Sequence, residues 1–93
     1  MRTTMRETRP LLVALDAAAR AALAGAPGGH QVRTFGGRSW KAELVSAWGW
    51  PDADLPAKVA KAREIADLLE AEGLVCAFDV LQTGGLDVVF ELT

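Results

Sequence analysis

The side chains able to form covalent bonds or hold a metal are few in this chain. His30 is the only histidine and Cys76 the only cysteine. A cysteine beside a histidine can act as an activated nucleophile. His30, however, adjoins the pair Gly28-Gly29, and Cys76 sits in an apolar run that reads as the inside of a sheet. A buried structural cysteine is the stronger expectation. One imidazole and one thiol also fall short of the ligand set of a zinc site. Asp52 and Asp54 flank a turn, where helix capping explains them better than paired acid–base work. "GAPGG", Gly25 to Gly29, and "TGGLD", Thr83 to Asp87, lack the Lys-Ser/Thr of a phosphate-binding loop. These residues predict no enzyme, no cofactor and no metal.

Binding chemistry is better represented. Arg33, Arg38 and Lys41 cluster around "GGRS", Gly36 to Ser39. If Ser39 starts a helix, that stretch offers free N–H groups and an arginine to an anion. Arg2, Arg6 and Arg9 would supply a basic arm. Trp40, Trp48 and Trp50 form a second signal, because Trp and Arg dominate binding hot spots. Trp50, between Gly49 and Pro51, is the one expected to be exposed.

The elements that position these residues follow from punctuation and periodicity. The 93 residues suffice for one domain. Residues 1–8 read as a flexible polar tail and 9–93 as the domain. Hydrophobic residues make up 51% and charged residues 24%, with a net charge of -2, an ordinary soluble balance with no general pull toward nucleic acid. The early arginines and the apolar stretch from Leu11 resemble a signal peptide, but Asp16 and Arg20 cut that stretch short. No run approaches the ~20 apolar residues of a membrane span. A single cysteine fits a reducing compartment, so the expected location is cytoplasmic.

A first helix is expected from Pro10 to Ala24, with Leu12, Leu15, Ala19, Ala22 and Leu23 inside and the pair Asp16/Arg20 outside. "HQVRTF", His30 to Phe35, reads as a short strand. Ser39 is expected to cap a second helix, "WKAELVSAW", with Trp40, Leu44 and Trp48 on one face. Asp52 or Asp54 caps a third helix, Pro56 lies in its first turn, and Gly73 ends it. Leu55, Val59, Ala62, Ile65, Ala66 and Leu69 form its inner stripe.

The C-terminal residues read as a hairpin. A three-residue loop, Thr83-Gly84-Gly85, sets Cys76 opposite Leu92, Phe78 opposite Phe90 and Val80 opposite Val88. A one-residue slip would turn every side chain over. Such loops favour a glycine in the left-handed region, and two are present. Val75, Ala77, Asp79, Leu81, Asp87, Val89 and Glu91 then face outward.

This order of elements resembles a winged helix-turn-helix domain of the MarR, PadR and ArsR-like kind. "LLEAEGLV", Leu68 to Val75, followed by "GGLDVVFELT", Gly84 to Thr93, is similar to the end of a recognition helix and its wing. "LVSAWGW", Leu44 to Trp50, is similar to the turn between the two helices. The resemblance implies a winged-helix-like α+β fold and a DNA-binding regulator. Val45, Lys58 and the long spacing from Gly49 to Gly73 depart from the family pattern.

Charge argues against the wing as a DNA contact. No Lys or Arg occurs from Leu74 to Thr93, and three carboxylates lie on the outer face, where phosphates would be repelled. Lys58 and Lys61 lie roughly 60° apart on one flank of the third helix, mixed with acids nearby. The leading expectation is therefore a non-enzymatic protein-interaction module (an inhibitor, adaptor or regulatory subunit). Its surface would combine Trp50, Leu81 and Val89 with Asp79, Asp87 and Glu91, facing a protein partner or a second copy. The alternative is a DNA-binding regulator using Arg33, Arg38, Ser39, Lys41, Lys58 and Lys61. No membrane partner is expected.

Overall fold

The computed structural model describes residues 10–26, 28–47 and 54–93. The expected tail at residues 1–8, and Trp48, Trp50 and Asp52, lie outside the described residues. Among the described residues the fold is α+β, with two helices and a four-stranded antiparallel sheet. In chain order it runs α1 (Leu11–Ala22), β1 (His30–Phe35), β2 (Arg38–Ser46), α2 (Leu55–Ala71), β3 (Cys76–Gln82) and β4 (Leu86–Leu92). No described helix is long and apolar enough to cross a membrane.

Both helices stand on the signals that predict them. α1 begins after Pro10 and buries Leu11, Ala14, Leu15, Ala18, Ala19 and Ala22. Arg20 donates to Asp16 at 2.6 Å on its outer side. In α2 the Asp54 carboxylate accepts from Ala57 N–H at 3.1 Å, satisfying one orphan donor of the first turn. Gly73 at φ +86° ends this helix, a conformation that costs glycine no Cβ clash. Ala62, Ile65 and Leu69 are fully buried, whereas Leu55 is exposed.

The expected second helix is a strand. Residues Arg38–Ser46 are β2, paired antiparallel to β1 with Val32 opposite Leu44 and His30 opposite Ser46. The order is therefore helix, strand, strand, helix, strand, strand. A four-residue spacing explains the error. Trp40 and Leu44 share a side at a helical period of 3.6 and equally at a strand period of 2. The deciding signal is Gly36-Gly37. Their φ values of +65° and +73° match the two positive-φ positions of a type I′ turn, the usual two-residue hairpin connection. Ser39 consequently caps no helix, and Gly36–Ser39 is a hairpin tip rather than a helix N-terminus. Leu44–Ser46, part of the expected helix-turn-helix turn, is extended.

The C-terminal hairpin has the expected register, with Phe78 opposite Phe90, Val80 opposite Val88 and Cys76 opposite Leu92. Neither glycine of its loop adopts positive φ, so backbone conformation is not what requires glycine there. Sheet order is β1-β2-β4-β3, which makes β4 an inner strand. Its partners on the β2 side are Ala42 for Phe90, Leu44 for Val88 and Ser46 for Leu86. These residues form the inner face of the sheet. α1 packs mainly on β1 and β2, and α2 mainly on β3. Phe90, Leu44, Val88 and Leu86 meet Leu11, Leu15, Ile65 and Leu69 in one core.

Candidate interaction surface

With both helices on the inner face, the opposite face of the sheet is covered by no described helix. An antiparallel sheet tolerates this if its strands alternate apolar and polar residues. The register sets out the side chains. One row across the sheet is Arg33, Glu43, Val89 and Asp79; the next is Gln31, Val45, Asp87 and Leu81. A third holds Lys41, Glu91 and Ala77.

Two residues of this face are shielded by its own side chains. Val89 is only 9% exposed and Glu43 only 8%. The expectation that Val89 would stand in an exposed strip is therefore corrected: β4 is flanked on both sides, and its neighbours close over the valine. Leu81, on the edge strand β3, stays half-buried.

Glu43 and Asp87 are diagonal neighbours across β2 and β4. Arg33 Nε donates to Glu43 Oε1 at 3.0 Å. Burial pushes the Asp87 carboxyl up from its ordinary 3.8 to about 6, and the hydrogen bond and charge of Glu43 push the same way. The hydrogen bond from Asp87 holds Glu43 below its ordinary value, and Arg33 assists. Below about pH 6 a protonated Asp87 can donate to an ionised Glu43, because two close carboxyls favour sharing a proton. Asp87 Oδ1 is buried and has no hydrogen-bond partner among the described residues.

This pair predicts a pH effect. Asp87 has a raised folded pKa, so its stabilisation is present below about pH 4 and is lost as pH rises through about 6. Glu43 acts oppositely, stabilising above its ordinary value and less as pH falls. Asp87→Asn keeps a donor for Glu43 but cannot titrate. Urea unfolding at about pH 5 and about pH 7 should show the parent losing roughly 1 kcal/mol more than the variant on this rise. Identical losses would mean that the two carboxyls do not share a proton.

Beside the pair lies a shallow groove of about 270 Å³. Leu81, Val89, Asp79 and Glu91 line it with Phe35, Lys41, Ala77 and Phe78. Four of the six residues expected to form a protein-binding surface therefore meet in one place. Asp87 is on the same face, directly opposite Leu81, but does not line the groove. Trp50 lies outside the described residues. Phe35 and Glu43 were not foreseen as part of this surface. The alternation in "RSWKAELVS" after a Gly-Gly turn is the signal that could have placed Glu43 on it.

The residues expected to meet nucleic acid are dispersed. Arg33 is held by Glu43, and Lys41 Nζ lies 3.9 Å from Glu91 Oε1 and 4.9 Å from the Phe35 ring centre. The Arg38 guanidinium stacks over Trp40, and Ser39 is exposed on β2. Lys58 is 7% exposed and donates to Thr83 O at 2.7 Å. Its ammonium ties α2 to the β3–β4 loop, and its apolar stem can pack in a position that usually takes an apolar residue. Lys61 donates to Ala22 O and Glu64, bridging α2 to the C-terminal end of α1. The last two sit on the helix side, away from Arg33 and Lys41.

His30 and Cys76 are far apart. They lie on the two edge strands, separated by three strand spacings, about 14 Å. His30 Nε2 instead bonds Asp16 at 2.9 Å and helps to hold that carboxyl below its ordinary value. Among the described residues no group of three potential ligands could hold a metal.

Comparison with protein-family models, curated proteins and solved structures finds no match.

Proposed function

We propose that this chain is a small non-enzymatic protein-interaction module, an inhibitor, adaptor or regulatory subunit, that binds its partner through the open face of the sheet. The observation that carries the reading is the largely apolar groove at Leu81 and Val89, on a face that no described helix covers. Charge on that face favours protein over nucleic acid. Glu43, Asp79, Asp87 and Glu91 outnumber Arg33 and Lys41, and phosphates would meet net repulsion. In this reading the protein works in the cytoplasm, where Cys76 stays reduced.

The face measures roughly 14 by 20 Å, from three strand spacings and about six residues of rise. That is well below the ~800 Å² per partner of a broad interface. A short segment of the partner is the better fit.

Leu81→Lys tests the proposal. Leu81 is half-buried at a strand edge, so the melting temperature should fall by only a few degrees. Nuclease-treated purification from native cells should recover a protein with the parent chain and not with the variant. Recovery of the same protein by both, or of nucleic acid alone without nuclease treatment, would overturn the proposal; the latter would favour a DNA-binding regulator.

A further inference from the structure

We infer that the groove beside Leu81 receives a lysine or arginine side chain from a short segment of the partner protein. The inference rests on reading the open face as the docking surface. Its basis is the match between walls and charge. Ala77, Leu81 and Val89 provide an apolar lining, which suits the methylene stem of a long basic side chain. Asp79 lines the same groove, is exposed, and forms no ion pair among the described residues. Its opposite neighbour Val89 offers it no hydrogen-bonding side chain.

The groove already accepts a cation. Lys41 places its ammonium over the Phe35 ring at 4.9 Å and reaches Glu91 only at 3.9 Å. With one lysine against Asp79 and Glu91, the lining keeps a net negative charge. A partner's cation would therefore meet Asp79 without displacing any existing ion pair. An acidic side chain would meet repulsion there, and a purely apolar one would leave the carboxylate to be desolvated without compensation.

Random nine-residue peptides selected on the immobilised full chain provide the test. The selected peptides should carry Arg or Lys at one position, flanked by apolar residues. Exchange of that residue for uncharged citrulline or norleucine should lower affinity about tenfold or more, read by fluorescence anisotropy. Asp79→Asn should bind the charged and uncharged peptides equally. Apolar peptides without a cation, lost in Leu81→Lys but kept in Asp79→Asn, would overturn this inference and leave the docking face standing. Peptides bound equally by the parent and both variants would overturn both. Failure to select any peptide would also overturn the inference.

Discussion

Phe90→Ala should destabilise the fold by roughly 3–5 kcal/mol, the cost of removing a large aromatic from a closed core. Phe90 is fully buried on inner strand β4. It stands between Ala42 on one side and Phe78 on the other, with its ring centre 6.1 Å from that of Phe78. Ala42 is too small to fill the space, and Phe78 is anchored on an edge strand under the Arg63 guanidinium. Domains of this size have roughly 0.05–0.15 kcal/mol of stability per residue. The loss is therefore a large part of the whole, and the urea midpoint should collapse. Phe35→Ala is the control. Phe35 is 39% exposed at the hairpin tip, and its removal should cost far less. Equal costs would contradict the placement of the core.

The second large effect is expected at Gly85. A Cβ built there would collide with the backbone carbonyl oxygen of Ser46, and it would also crowd the Ser46 carbonyl carbon at 3.3 Å. Backbone on inner strand β2 cannot swing aside as a side chain can. Gly85→Ala should therefore cost roughly 1–3 kcal/mol or more, as overpacking does. Gly84→Ala meets nothing within 4 Å and has no positive φ to strain it. It should be neutral or slightly stabilising, because alanine restricts the unfolded chain. Thermal melts of the two variants give the comparison. If Gly84→Ala were the more damaging, conformation rather than contact would govern the loop.

That pair shows what the sequence could and could not convey. The need for glycine in the loop is legible, and so is the register it permits, because Phe78, Val80, Val88 and Phe90 match only when the loop has three residues. The reason for the glycine is not legible, since Ser46 reaches the loop only through the pairing of β2 with β4. α2 was readable because Asp54, Pro56 and Gly73 mark its ends with local chemistry. β2 was not, because a spacing of four fits both periods and Gly36-Gly37 can be a break or a turn. The misreading carried into the surface. With β2 taken as a helix, the strand that flanks β4 and helps to cover Val89 is missing, and Val89 looks exposed. With β2 restored, Val89 is covered, Glu43 lies diagonal to Asp87, and Lys41 joins the groove instead of a DNA-binding helix end. Leu81, Asp79 and Glu91 survived as surface candidates because their positions depend only on the local hairpin.

In the proposed function, recognition occurs on the open sheet face and not on the helices. The most direct measurement is a titration of isotope-labelled chain with the protein recovered from cells, followed by backbone amide resonances. Shifts should concentrate at Leu81, Val89, Asp79 and Glu91 on the open face, with Val13, Ala17 and Ala21 on the outer side of α1 unchanged. Shifts confined to the α1 and α2 surface, with the open face silent at saturation, would contradict it.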